Sequence, residues 1–422
     1  MASRSTTNEQ RSTPLRVALY SHDSYGLGHL RRTLVLAQAL GNLETAVETL
    51  IVTGSPRALF FEAPPSVRIV PLPAVTKNAE GNYVSRNSSI PLQQTLRMRK
   101  GIIRHSVLSF RPHMLVVDHA PSGLRGELLP LLGDLRWRGE TELVLGLRDI
   151  LDEPEQVIED WSRNGIYRLL KSIYHHVWVY GTPQVFPIAD LYRLPKEVKS
   201  RVEFLGYLGR EANITPECKK MSEGFSNSSL PHLLCMVGGG GDGDVLAQIF
   251  LRMLAKRPGS WNGTLLTGPF LARDKRNELV SQYGTFPHIQ ILRFTTHVER
   301  LIAGSDAIIT MGGYNAVMEA VSWHKRTLVV PRVFPRREQW LRAQSFHRLG
   351  LVTALDPELL DAEELAQQVE MALEKPLPPT PAELGIPWQG AQNFAERVAA
   401  LLGQRPWARK GQSNARQQRI RA

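Results

Sequence analysis

At roughly 150 residues per domain, a chain of 422 residues divides into two or three domains, and two large ones fit equally well. Its hydrophobic fraction of 42% and charged fraction of 22% are globular values, which exclude a collagen-like or low-complexity chain. Cys218 and Cys235 alone exclude a disulfide framework and a four-thiolate zinc site, and no apolar stretch reaches the roughly 18 residues of a membrane span. A cytosolic setting is therefore expected. Residues 1–14 carry no apolar core behind their charges, so they read as a disordered lead-in and not as a secretory signal. The balance of 51 basic against 40 acidic residues gives a net charge of +11. Six of those cations (Arg405, Arg409, Lys410, Arg416, Arg419, Arg421) lie in 404–422, which reads as a disordered basic tail.

The first predicted strand is LRVALYS (15–21), followed by a Gly-rich turn and an amphipathic helix over HLRRTLVLAQALG (29–41). Further strands are expected at 48–54, 67–73, 114–120, 142–149 and 177–181, with helices between several of them. After VEFLGYLGR (202–210), the polar run 219–229 reads as a loop. The pattern then restarts with strands at 232–241, 264–269, 289–294, 307–313 and 327–332. PLPPTP (376–381) is a stiff linker, and AQNFAERVAALLG (391–403) is a closing amphipathic helix. Alternating strands and helices imply parallel sheets covered on both faces, so an α/β chain of two successive sheets is expected. The boundaries expected are 15–200 for the first domain, 201–385 for the second and 386–403 for the closing helix.

Ligands of doubly wound sheets bind outside the carboxyl ends of the strands, so glycines where strand passes to helix carry the functional signal. In SHDSYGLGHLRR (21–32), Gly26 and Gly28 let backbone approach a ligand and set His29 on the first helical turn. This is neither a GxGxxG fingerprint, which would need Gly at Arg31, nor a Walker loop. His29 suits general-base work on a hydroxyl, with shaping of the turn as its alternative role. In MVGGGGDGDVLAQ (236–248), Gly239 and Gly240 lie in a four-glycine run that can wrap a diphosphate through backbone amides. Asp242 and Asp244 are expected to cap the following helix, because two carboxylates without further ligands do not make a metal site.

The third segment runs from SDAIITMGGYN into LVVPRVFPRREQW. Gly312 and Gly313 open a helix on which Glu319, about two turns along, can accept hydrogen bonds from vicinal hydroxyls such as those of a ribose. Beyond it stand Arg332, Arg336, Arg337, Glu338 and Gln339, with Arg suited to phosphate or carboxylate and Glu and Gln to sugar hydroxyls. VVDHAPSG (116–123) puts Asp118 or His119 at a strand end where either can assist His29, and LRDILDE (147–153) does the same for Arg148 and Asp149. For each of these the alternative is a strand-terminal polar cap.

The first loop, the glycine run and GGYNAVMEAV…PRVFPRREQWLRA together resemble glycosyltransferases of the GT-B architecture. The nearest type is the family 28 peptidoglycan N-acetylglucosaminyltransferase, together with uncharacterised predicted relatives. The resemblance covers most of 15–403, but only the last motif is specific. It implies two Rossmann-like domains facing each other across a cleft, an acceptor-side N-terminal one and a nucleotide-sugar-binding C-terminal one. It also implies a UDP-sugar donor, an inverting and metal-independent transfer, and no cofactor. By position, RFTTHV (293–298) sets Phe294 and Thr295 beside the base, and Gly312, Gly313, Tyr314 and Asn315 lie under the phosphates. Glu319 takes the ribose-binding position. In RREQ (336–339), Gln339 matches the donor-sugar segment, while Glu338 stands where the family has Gln and Arg336 where it has Asp. Those departures suit a more acidic sugar or a different diphosphate grip. The family's GGxGGH-like loop is only partly kept in YGLGH (25–29).

The acceptor is left open among small molecules, glycans and lipid-linked compounds. A lipid-linked acceptor implies a peripheral place at the inner face of the membrane and a weak contact with anionic lipid. Such contact would use the tail or the basic stretch 95–115, where Leu96, Ile103, Val107 and Phe110 at helical spacing are expected to face the core instead. Two rival functions share these features. A nucleotide-sugar 2-epimerase would use the same scaffold, with acid/base carboxylates around the sugar. A basic nucleic-acid-binding protein would use the charge of +11, yet the arginines are not interleaved with aromatics on one element, so nucleic acid is not an expected partner.

Overall fold

The computed structural model describes residues 14–22, 28–56, 58, 64–77, 83–209, 229–238, 243–295 and 297–404. The N-terminal part begins with β1 (Leu15–Ser21), β2 (Val47–Thr53), β3 (Val67–Pro71) and the antiparallel hairpin β4 (Val75–Lys77) and β5 (Tyr83–Ser85). It continues through β6 (Met114–Asp118), β7 (Glu142–Arg148), β8 (His176–Tyr180) and β9 (Val202–Phe204). All but the hairpin form one parallel sheet in the order β3-β2-β1-β6-β7-β8-β9. Val, Leu and Ile dominate β1, β2, β6 and β7, and every residue of β6 is buried, as a sheet covered on both faces requires.

The second sheet holds β10 (His232–Met236), β11 (Asn262–Leu266), β12 (Ile289–Leu292), β13 (Ala307–Thr310), β14 (Arg326–Val329) and β15 (Thr353–Ala354). It is parallel as well, in the order β12-β11-β10-β13-β14-β15. In each sheet the strand order reverses at one place, between β1 and β6 and between β10 and β13. A crevice opens at such a point. His29 follows β1, Asp118 ends β6, Gly238 follows β10 and Gly313 follows β13, so the functional candidates collect at the two reversals.

The closing helix Gly390–Gly403 returns to the first sheet. Phe394 meets Trp178 of β8 edge-on at 5.5 Å, and Asn393 Nδ2 donates to the Leu205 carbonyl at 2.7 Å. Its apolar face shares one core with the helix Gly28–Gly41 and with Val317, Met318 and Phe346 of the second part. The helix Leu92–Phe110 buries Ile103 and Val107 as its periodicity requires. Among its basic residues Arg99 is also buried, held by Glu127, so it belongs to the interior and not to a basic surface. The basic tail beyond residue 404 lies outside the described residues.

Candidate active site between the two sheets

The helix Gly28–Gly41 sets His29 and Arg32 three residues apart and therefore on one side. Both turn to Asp118 at the end of β6. Asp118 Oδ2 lies 2.6 Å from His29 Nδ1, and Arg32 donates from Nε to Oδ1 at 2.8 Å and from Nη2 to Oδ2 at 2.7 Å. Burial opposes the charge on Asp118, but Arg32 and His29 outweigh it and hold the carboxyl well below the usual carboxylate range. Arg32 Nη2 also lies 2.9 Å from His29 Nδ1, so that nitrogen is held between the carboxylate and the guanidinium, while Nε2 takes part in neither contact.

Two more imidazoles surround this pair. The rings of His22 and His119 lie 5.8 and 5.1 Å from that of His29. Burial, aided by His29, pushes His22 down to about 3. Burial, aided by Arg148, keeps His119 well below its ordinary value. Each has a buried Nδ1 without a hydrogen-bond partner.

Beside His29 a cavity of about 210 Å³ runs between the two sheets. The first part lines it with His29, Arg31 and Arg148; the second contributes Phe294, Thr295, Gly313, Asn315 and Glu319. Arg148 ends β7, and its Nε is buried without a hydrogen-bond partner. Burial, with Arg32 nearby, lowers its guanidinium to about 10, so it remains a cation at neutral pH. Arg31 and Glu319 face each other across the cavity at 3.6 Å, and Asn315 Nδ2 donates to the Gly28 carbonyl at 3.1 Å. Gly312 has φ +82°, and a Cβ there would sit 2.8 Å from Val329 Cγ1, so the turn that starts the helix Tyr314–Ser322 requires glycine.

Phe294, Thr295, Gly313, Tyr314, Asn315 and Glu319 thus converge with His29 and Gly28 on one cavity. Tyr314 is buried, and its hydroxyl donates to the Tyr180 carbonyl at 3.0 Å and accepts from Leu208 N at 3.1 Å. It ties the two parts together under the cavity. The RREQ residues are not brought there. Gln339 Oε1 accepts from Arg332 N, and Glu338 Oε1 from the Arg332 guanidinium, both at 3.0 Å. Arg336 instead lines a second cavity of about 1000 Å³ in the first part, along with His22 and His119. Gly239 and Gly240, like Asp242, lie outside the described residues. Asp244 does not cap: it is the first residue of its helix, Gly243 holds the cap position, and its carboxylate pairs with Lys275. Among the described residues no group of three or more His, Cys, Asp or Glu is arranged to hold a metal ion.

Sequence reasoning missed Arg31, Arg32, His22 and Arg342. Arg32 had a local signal, since an Arg three residues after His29 on a helix shares its face. Arg342 had none: it is fully buried and forks onto Asp149 at 2.9 and 2.7 Å, 193 residues away.

Residues 233–398 match the glycosyltransferase family 28 C-terminal domain. An uncharacterized glycosyltransferase of Methanosarcina mazei is 34% identical over 24% of this chain and 25% of its own length. The UDP-N-acetylglucosamine–N-acetylmuramyl-(pentapeptide) pyrophosphoryl-undecaprenol N-acetylglucosamine transferase of Alkaliphilus metalliredigens is 20% identical over 36% of this chain and 42% of its own. The chain therefore matches between a quarter and about two fifths of these relatives. Among solved structures, MurG of Acinetobacter baumannii superposes with a TM-score of 0.55 at 12% identity, covering 93% of this chain and 100% of that one. A UDP-N-acetylglucosamine 2-epimerase structure from Listeria monocytogenes gives 0.61 at 11%, covering 93% and 96%. The fold is GT-B.

Proposed function

We propose that this GT-B chain, with its C-terminal domain of the glycosyltransferase family 28 type, transfers a sugar from a nucleoside diphosphate donor to a hydroxyl. UDP is the nucleotide this reading favours, because the Alkaliphilus relative is named for a UDP-sugar. The observation that carries it is the convergence on one cavity of a helix N-terminus, a buried guanidinium with a free Nε, and a carboxylate two turns along that helix. The amides after Gly312 and the Arg148 guanidinium suit a diphosphate, Glu319 a ribose diol, and Phe294 the face of a base.

In this reading His29 Nε2 takes the acceptor hydroxyl's proton while Asp118 steadies the imidazolium that forms. The freed oxygen attacks the anomeric carbon from the side opposite the diphosphate, so configuration inverts. The diphosphate leaves onto Arg148 and the helix N-terminus, and those groups supply the charge stabilisation without a metal. A 2-epimerase needs carboxylates free to work around the sugar. Beside the cavity Asp118 is committed to Arg32, and within it Glu319 faces Arg31. Transfer is the better match.

No helix among the described residues is long and apolar enough to cross a membrane. The reading places the enzyme in the cytoplasm. Arg97, Lys100 and Arg104 on the exposed side of the helix Leu92–Phe110 are the face that would meet an anionic bilayer.

Thermal unfolding with UDP-, GDP-, ADP- and TDP-sugars tests the donor. A ligand at 100 times its dissociation constant stabilises by about 2.7 kcal/mol, and the UDP-sugars should give that shift. No shift with any nucleotide sugar would contradict the reading.

A further inference from the structure

Arg342 lies on the helix Glu338–Arg348 of the second part, fully buried, behind the cavity between the sheets and not in its lining. Its guanidinium points its N–H groups in two directions. Nε and Nη2 fork onto Asp149 Oδ2 at 2.9 Å and Oδ1 at 2.7 Å, while Nη1 donates to the Gly312 carbonyl at 3.1 Å. Asp149 directly follows Arg148, and Gly312 directly precedes Gly313, so each anchor sits one residue from a group that lines the cavity. Consecutive Cα atoms are about 3.8 Å apart, which leaves little slack on either side. One planar group thus ties the end of β7, which carries Arg148, to the turn that starts the helix Tyr314–Ser322.

Neither anchor can shift alone. Asp149 Oδ1 also accepts from Ile150 N at 2.8 Å, and a Cβ at Gly181 would lie 2.9 Å from Asp149 Cβ, so that side chain is packed from behind. Gly312 is held against Val329 of β14. The Arg342 guanidinium lies 5.4 Å from the Tyr314 ring, which Arg32 approaches at 6.0 Å. Burial opposes the charge on Arg342, but Asp149 outweighs it and raises the guanidinium above the ordinary arginine range. Stability alone is a weak reason for a buried ion pair, since apolar residues of similar volume often serve as well or better. Directed bonds to both sheets fix a spacing, which non-directional apolar packing does not.

Resting on the transferase reading above, we infer that Arg342 is a positioning residue for the donor: it sets the Arg148 guanidinium at a fixed distance from the helix amides after Gly312, so that one diphosphate meets both. A ligand gripped from two sheets gains fully from each only if their spacing is set before it arrives. Lysine in this place would keep a cation beside Asp149. Its single ammonium cannot make the planar fork and reach the Gly312 carbonyl together.

The test titrates UDP and uridine calorimetrically into the full chain as wild type, Arg342→Lys, Arg148→Gln and the two substitutions combined. Arg342→Lys should weaken UDP about tenfold and leave uridine unchanged, because uridine has no diphosphate to be gripped. In the Arg148→Gln background the same substitution should weaken UDP less than about twofold, since one side of the grip is already gone. Asp149→Asn combined with Arg342→Gln removes the pair without leaving a buried charge, and should reproduce the selective loss of UDP should the lysine variant not fold. UDP and uridine weakening together, UDP unchanged by both replacements of Arg342, or a tenfold loss that persists in the Arg148→Gln background would each overturn the inference. A wild type that binds UDP and loses it with Arg148→Gln but not with Arg342→Lys overturns the inference alone. A wild type that binds no UDP overturns the donor reading, and the inference with it.

Discussion

One carboxylate, Asp118, serves both His29 and Arg32, at 2.6 and 2.7 Å. His29→Ala should lower turnover by about 10²–10⁴-fold while UDP affinity stays within a few-fold. Retained turnover with lost UDP affinity would make His29 a binding residue. Arg148→Gln should weaken nucleoside diphosphate binding by about 1.5–3 kcal/mol and leave uridine binding unchanged, because only the diphosphate offers the anion it faces. Equal losses for both in calorimetry would remove Arg148 from the diphosphate. His22 sets a pH dependence of stability. Unfolded, its imidazole titrates near 6.5; folded, near 3. Between those values the unfolded chain holds the extra proton. Stability therefore rises with pH through that window, by up to about 1.4 kcal/mol per pH unit, is complete above 6.5 and is lost as pH falls towards 3. Denaturant melts of His22→Asn over this window should show a shallower slope than the wild type; parallel curves would contradict neutral burial.

Strands and the glycine turn at Gly312 were the part of the fold legible in the sequence, because each is set by neighbours in the chain. LRVALYS and the run 114–120 read as strands and are β1 and β6, the second ending at Asp118, where His119 turns to a φ of +67°. The helix Leu92–Phe110 shows where local reading stops. Its apolar spacing correctly placed Ile103 and Val107 inward, but nothing local marked Arg99 as buried, since its partner Glu127 lies 28 residues on, beyond β6. The hairpin β4–β5 also went unread: three-residue strands carry too few alternations to register. The Tyr20–Glu127–Arg99 network holds the loop that follows β6. Arg99→Met leaves Glu127 as a buried carboxylate without its guanidinium and should cost about 3–5 kcal/mol in urea unfolding. A loss under about 1 kcal/mol would show that the pair is replaceable by apolar packing.

Across the whole molecule, the site exists only because the two sheets face each other. Arg342 bonds to Asp149 and to the Gly312 carbonyl at 3.1 Å, Tyr314 reaches the Tyr180 carbonyl, and Arg337 N donates to Asp152 at 2.8 Å. All but the bond to Gly312 join residues more than a hundred positions apart, so only their individual members were visible in the sequence. Glu319, Phe294 and Gly313 were legible through resemblance to a motif. Their meeting with Arg31 and Arg148 was not, because it depends on how the two halves close. The same closure sets Arg336 on the larger cavity of the first part and away from the one that Glu319 lines. On the proposed function, the cavity between the sheets binds a nucleoside diphosphate through Glu319. Calorimetric titration of UDP into the wild type and a folded Glu319→Ala variant tests it directly. The predicted result is a dissociation constant roughly 10- to 150-fold higher in the variant, as loss of hydrogen bonds to a charged group implies. Equal affinity in the two proteins, or no UDP binding by the wild type, would contradict it.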